Sequence, residues 1–330
     1  MNDRQKMILS YIVNDYIRTG MPVSSRTLSR QKGLSLSPAT IRNTMADLEE
    51  EGYIYQTHVS SGRVPTDLGY RFFVDNLMRL QNLTFDEKQK ITNQYQKDIS
   101  ELDNVLKNTS LVLSQISKKI GIALSPPIEK DIITCFHFVP VGTSKLLAVM
   151  VTKAGTVKEH LFAIQEMPPK DDLDKANNFL NSMLTGETIE SAITKIRMCN
   201  SASVAGEFIM GAVCSQLDKT RQEENRVFID GVMDFMKNTH DAPIELLRDE
   251  VISSVLSDGI SDVGQNVLVK IGEENEKRVL KEYSLISREV QVGEGLFTRI
   301  AIIGEKRVNY AKIISLVEYT GKLLEETLNS

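Results

Sequence analysis

Between residues 3 and 18 the apolar positions Met7, Ile8, Tyr11, Ile12 and Tyr16 fall three and four apart, the spacing of one helical face, and the run stops at Gly20 with Pro22 just beyond. A second helix of about two turns is expected from Ser24 or Ser25, burying Leu28 and ending at Gly33. Ser37-Pro38 then supplies a serine N-cap and a proline at the first helical position, where the missing amide hydrogen costs nothing, and a third helix runs from there to Gly52. Tyr53 to Thr57 and Arg63-Val64 flank Val59-Ser60-Ser61-Gly62, which predicts two short strands joined by a turn. Three helices followed by a hairpin is the order of a winged helix-turn-helix.

Thr66 caps a fourth helix with Leu68, Phe72, Phe73 and Leu77 inward, and Thr84 with Glu87 forms a capping box opening a longer helical stretch to about Lys119. Along that stretch Tyr95, Ile99, Leu102, Leu106, Thr109, Leu113, Ile116 and Ile120 alternate steps of four and three, a heptad seam. Two readings stand: a helix lying on its own domain, broken near Asn108, or a coiled coil between subunits. Beyond Pro126-Pro127 the period becomes that of strands, at 131–139, 145–152 and 157–164, reading as an antiparallel meander. Helices follow at 170–184, 187–197 and 203–220, a strand at 226–230 and a helix at 244–256. Strands at 266–271, 282–292 and 296–303 precede a final helix from Asn309 to Leu328. The fold class is α+β, with one sheet interrupted by a largely helical insertion.

Composition narrows the function. The 330 residues are 41 % hydrophobic and 25 % charged, as in an ordinary soluble protein of two or three domains. Apolar runs break within about a dozen residues, short of the roughly 20 a membrane span needs, which places the protein in the cytoplasm and away from membranes. Cys135, Cys199 and Cys214 form no CxxC pair, and His58, His137, His160 and His240 no HExxH, so neither metal nor disulfide framework is expected. No GxxxxGK[ST] occurs, and Gly293-x-Gly295 lacks the third glycine of a dinucleotide loop, so no cofactor and no catalysis are expected. The net charge of −5 opposes nucleic-acid binding on average, but residues 1–80 carry +2 and the remainder −7. If one part touches DNA, it is the front.

In the third helix Ile41, Met45 and Leu48 fall on one stripe, leaving Ala39, Asn43, Ala46, Asp47 and Glu50 opposite and Thr40 and Arg42 on the shoulders. The N-terminal half of that exposed face holds the groups that read base edges: Arg for guanine, Asn for adenine, Thr and Ala for a thymine methyl. Ser37 opens it, Arg26 and Arg30 lie on the preceding helix, and His58, Ser60, Ser61 and Arg63 surround the turn of the hairpin, suited to phosphate or minor-groove contact. Glu49-Glu50-Glu51 at the other end repels phosphate and should point away. The expected DNA-contacting set is Arg26, Ser37, Ala39, Thr40, Arg42, Asn43, His58, Ser60, Ser61 and Arg63, with Arg42 and Asn43 reading sequence and Arg63 holding the backbone.

The contiguous runs Leu36 to Asn43, Leu48-Glu49 with Gly52, His58 to Thr66 and Gly69-Tyr70-Arg71 resemble the N-terminal signature of HrcA, the family of bacterial heat-inducible transcription repressors. The resemblance continues in Val269, Ile271-Gly272 and Glu274-Asn275 and in Gly304, Arg307 and Tyr310, with Gln56-Thr57, Glu305 and Val308 departing from it. It implies a winged helix over 1–82, a GAF-like domain over 83–200 and 265–330, and an inserted dimerisation domain over 201–264. It further implies a homodimer that binds an inverted-repeat operator in double-stranded DNA ahead of chaperone operons and is kept active by the chaperonin. Two rivals keep the fold but change the use: a DNA-binding regulator gated by a small metabolite in the GAF-like domain, and a winged helix used solely for protein contacts.

Overall fold

The computed structural model describes residues 1–31, 33, 34, 36–58, 62–95, 102–198, 204–222, 226–238, 249–257, 267–293 and 295–328. The N-terminal unit is α1 (Asp3–Thr19), α2 (Ser25–Leu28), α3 (Pro38–Glu50), the hairpin β1 (Ile54–Gln56) and β2 (Arg63–Pro65), and α4 (Asp67–Phe72), which continues into a π-helical turn at Phe73–Leu77. Its helices begin where the sequence supplies oxygen caps: the side chains of Asn2, Ser24, Ser37 and Thr66 each accept an amide hydrogen of the first turn, worth about 1 kcal/mol apiece. The second helix is a single turn rather than two. Ile8, Leu9, Ile12 and Val13 of α1 share a buried core with Leu28, Ile41, Met45, Leu48 and Ile54.

The long helical stretch is two helices, α5 (Phe85–Tyr95) and α6 (Leu102–Ser117), folded against each other. Thr109 Oγ1 donates to the Val105 carbonyl, and the Tyr95 hydroxyl donates to Thr109 Oγ1 at 2.6 Å. Those residues are 14 apart and would be about 21 Å apart along one continuous helix. The seam residues Tyr95, Leu102, Leu106, Thr109 and Leu113 are buried within this chain, so a coiled coil between subunits is not what they build; Ile99 lies outside the described residues. Leu102–Ser117 runs as one helix through Asn108, so no break falls there. Heptad spacing arises equally when an amphipathic helix hairpin covers a sheet, which is why periodicity alone did not separate the two.

Ile120, counted as the end of that seam, instead starts β3 (Ile120–Leu124), all five of whose residues are buried. A strand covered on both faces reads as an unbroken apolar run without alternation, so the sequence pattern hid it. After β3 come the meander β4 (Ile133–Val141), β5 (Lys145–Thr152) and β6 (Val157–Ala163), and helices α7 (Lys170–Leu184), α8 (Ile189–Met198) and α9 (Val204–Gln222). Then follow β7 (Val227–Asp230), α10 (Val232–Asn238), α11 (Asp249–Ser257), β8 (Leu268–Ile271), β9 (Tyr283–Gly293), β10 (Leu296–Glu305) and α12 (Tyr310–Leu328).

Five of these strands form one antiparallel sheet in the order β7-β3-β10-β9-β8. One face, with Ile286, Val290, Ile300 and Ile302, packs under α5, α6 and α12; the other, with Ile122, Leu285, Ala301 and Ile303, packs on Phe235, Ile252 and Leu256 of α10 and α11. The meander is a separate sheet with its own core, where Phe136, Phe138 and Met150 meet Leu180, Leu184, Ile193 and Val213. The chain therefore leaves the central sheet after Leu124 and rejoins it at Val227, whereas the sequence pattern put the strands of 131–164 in that sheet and the excursion at 201–264. Alternation marks a segment as a strand but carries no information about its partner strand.

Candidate DNA interface

α3 is held by its buried stripe of Ile41, Thr44, Met45 and Leu48, with Thr44 Oγ1 donating to the Thr40 carbonyl at 3.0 Å. Burying that stripe turns Ser37, Ala39, Arg42, Asn43, Ala46, Asp47 and Glu50 to solvent, with Thr40 half-buried. Ser37 Oγ accepts the Thr40 amide at 3.1 Å and lies 2.9 Å from the Thr40 hydroxyl, so both polar groups are engaged in starting the helix. Pro38 follows at the first position. Arg26 and Arg30 are exposed on and just after α2. The exposed first turns of α3 and the two arginines beside them thus form a surface of small, amide and cationic groups, of the kind that enters a major groove by a helix N-terminus.

The wing is fixed more firmly than its sequence suggested. β1 pairs with β2 through Ile54 to Pro65, Tyr55 to Val64 and Gln56 to Arg63, and Val23 adds a third, single-residue strand by exchanging backbone hydrogen bonds with Arg63 at 2.8 and 2.9 Å. A Cβ on Gly62 would lie 2.5 Å from the Val23 carbonyl carbon, so the glycine is required by close approach of two backbones rather than by the turn. His58 is exposed two residues beyond β1. Ser60 and Ser61, expected at the wing tip, lie outside the described residues.

Arg63 does not project freely toward a phosphate. Its Nε and Nη2 both reach Glu49 Oε2, at 2.9 and 2.8 Å, tying the wing to the C-terminal half of α3. Glu51 accepts a hydrogen bond from Gln5 of α1 at 2.6 Å. Two of the three glutamates at that end are thus held by neighbouring elements, and the Arg63 charge offsets that of Glu49.

Sequence reasoning noted further motifs without a role for them, and the structure brings them to one place. Asp67 of α4 accepts the Glu273 amide at 3.1 Å and pairs with Lys306 at 3.0 Å. Arg71 donates from Nε to Glu274 Oε1 at 2.7 Å and from Nη2 to the Val269 carbonyl at 2.6 Å, and the Glu274 hydrogen bonds hold the guanidinium proton more tightly than usual. The Tyr70 ring packs on Tyr310 with centroids 5.8 Å apart, and burial pushes both phenols up in pKa. Tyr310 donates to the Lys306 carbonyl at 2.7 Å and so accepts from Ser284. Asn275 donates to the carbonyls of Gly272, Leu280 and Tyr283, shaping the loop that receives Asp67. This junction sets how the winged helix sits on the central sheet. The signal for it was present in the sequence as three separated motifs whose common location no spacing rule reveals.

Among the described residues there is no group of three His, Cys, Asp or Glu side chains able to hold a metal, and no helix is long and apolar enough to cross a membrane.

Residues 1–61 match the family described as the LexA DNA binding domain, and residues 103–314 match that described as the HrcA protein C terminal domain. A heat-inducible transcription repressor HrcA of Acetivibrio thermocellus is 35 % identical, with 99 % of this chain and 96 % of that protein covered. Those of Clostridium perfringens and Geobacter sulfurreducens are 34 % and 32 % identical, covering 100 % and 99 % of this chain and 99 % and 98 % of theirs. A crystal structure described as a hypothetical protein at 2.2 Å resolution shares the fold with a TM-score of 0.69 at 23 % identity, over 99 % of this chain and 98 % of that one. With a family match over more than half its length and relatives aligned end to end, this chain belongs to the HrcA family of heat-inducible transcription repressors.

Proposed function

We propose that this chain represses heat-shock chaperone operons by binding an inverted-repeat operator in double-stranded DNA as a homodimer, with the chaperonin maintaining its active state. The observation that carries the DNA-reading part is the exposed start of α3, where Ala39, Arg42 and Asn43 stand clear of the winged-helix core. In this reading Arg42 and Asn43 read base edges, each good bidentate pair contributing about 1–3 kcal/mol of discrimination. Arg26, Ser37, Thr40, His58, Ser60 and Ser61 position the backbone, and Arg63 aligns the wing through Glu49 before it meets a phosphate. A single helix in one major groove reads only a few base pairs, so a two-fold protein on a palindrome doubles the contacts.

The homodimer finds support in the meander. Its outward face carries Val139, Leu147 and Leu161 in one cross-strand row and Cys135, Val151 and Val157 in another, with His137, Val149 and Glu159 in the row between them and with Val139, Val157 and Leu161 more than 40 % exposed. A sheet face that apolar calls for a cover, and a second copy supplies one. Regulation by heat rests on the likeness to relatives named as heat-inducible repressors, and the chaperonin on the family resemblance.

The test is binding of purified protein to an inverted-repeat chaperone-operon operator and to a scrambled duplex at one fixed salt concentration, with and without chaperonin. Operator preference that chaperonin strengthens supports the whole reading. Equal affinity for both duplexes under both conditions sinks it.

A further inference from the structure

A cleft of about 890 Å³ lies between the winged helix and the central domain. Six cations line it: Arg18 of α1, Arg79, Lys118 and Lys119 after α6, Arg307 and Lys312. No carboxylate shares the lining. Arg18, Lys119 and Lys312 are balanced by Asp15, Glu305 and Glu87 at its margin, while Arg79, Lys118 and Arg307 have no ion-pair partner among the described residues. Arg307 instead donates to the Ile17 carbonyl at the end of α1. The N-terminus of the 19-residue helix α12 opens into the same space through Asn309, Ala311 and Lys312, adding its positive dipole end.

Lys118 sharpens the picture. It sits at φ +59, left-handed backbone that closes α6 through its amide on the Ser114 carbonyl at 2.8 Å. Glycine or asparagine is the favoured residue there, and a lysine places an ammonium on the cleft at a conformational cost. Half-buried Leu77, Met78 and Ile116 supply an apolar floor beside the charges.

This site is not the recognition surface. α1 buries Ile8, Leu9, Ile12 and Val13 toward α3 and turns Ser10, Asn14 and Arg18, on its other side, to the cleft.

We propose that this cleft binds a phosphate-bearing small molecule with an apolar body, a nucleotide by class, with Arg79, Lys118 and Arg307 holding phosphate and the Leu77–Met78–Ile116 floor holding the ring. Its volume is that of an ordinary small-molecule site. Because its walls come from both the DNA-binding unit and the central domain, occupancy bridges them and favours the docked arrangement that the Asp67 and Arg71 contacts define.

Isothermal titration of the full-length protein with ADP and with GDP, beside adenosine and pyrophosphate, tests this. The expected result is one nucleotide per chain, with the nucleoside and pyrophosphate each at least about tenfold weaker, because each lacks one half of the recognition. Arg79→Gln and Lys118→Gly should each weaken the nucleotide by about fivefold or more, while Lys118→Gly leaves the melting temperature equal or higher because glycine suits the left-handed backbone. Binding of neither nucleotide overturns the proposal. So does binding that survives both variants, or pyrophosphate binding as tight as the nucleotides', which would make the cleft an unselective cationic patch. Nucleotide binding abolished by Arg42→Ala and displaced by operator DNA would move the anion site to the recognition helix and overturn it equally.

Discussion

The Arg71 guanidinium, on the helix that follows the wing, grips Glu274 across 203 residues of sequence, with Nε to Oε1 at 2.7 Å. Both side chains are only partly exposed, 25 % and 35 %, and Glu274 Oε2 also accepts the Ile271 amide at 2.8 Å, so the pair is anchored to backbone at its far end. In a double-mutant cycle with Arg71→Ala and Glu274→Ala, the coupling measured by denaturant unfolding should be about 1–2 kcal/mol. Additive losses would show that the pair does not fasten the two units.

Gly272 offers a second handle on the junction. It has φ +54, and a Cβ there would fall 1.9 Å from Asp67 Oδ2. Gly272→Ala should cost about 1–3 kcal/mol from backbone strain and the clash together. Asp67→Ala in the same chain should return the clash share. A Gly272→Ala protein as stable as the parent would mean that this loop does not meet α4.

Arg63 and Glu49 fasten the hairpin to α3. Glu49→Gln should weaken operator affinity by loosening the wing even though it removes a negative charge near DNA, whereas simple charge repulsion predicts tighter binding. A filter-binding or fluorescence titration at two salt concentrations reads the sign directly. Arg42→Ala, by contrast, should relax base preference while leaving the salt dependence nearly intact if its contact is to bases.

The α5–α6 hairpin can be trapped. Gln94 Nε2 donates to Asn108 Oδ1 at 3.2 Å, so a short bis-maleimide should crosslink a Gln94→Cys, Asn108→Cys protein within one chain. Crosslinked dimers in place of that monomeric species would restore the coiled coil between subunits.

Glu87 carries a pH signature. Its hydrogen bond from Lys312 and the Thr84 amide hold its carboxyl below the usual value, so it stabilises the fold fully above the ordinary glutamate pKa of about 4.3 and loses that contribution as pH falls through the lower folded value. The stability gap between the parent and Glu87→Gln should be constant near neutrality and close as the solution is acidified below about pH 4. A gap independent of pH would rule out this pairing.

Much of the protein was legible in its residues alone. Oxygen caps at Ser24, Ser37 and Thr66, the apolar stripe Ile41, Met45, Leu48 and the alternation in residues 145–152 are local signals, set by hydrogen bonds within one turn and by side-chain period. They located most of the helices, the hairpin and the exposed face of α3. Tertiary structure alone decided the relations between distant segments: that Ile120–Leu124 is a doubly covered central strand, that residues 133–163 form their own sheet, that the heptad seam closes within one chain, and that Arg63 turns to Glu49. It also decided that Asp67, Arg71, Gly272, Glu274, Lys306 and Tyr310 meet, leaving the cationic cleft beside them. The physical reason is one of range: local propensity is written in neighbouring residues, whereas strand partnership, burial on a second face and ion pairing depend on which surfaces the folded chain brings together.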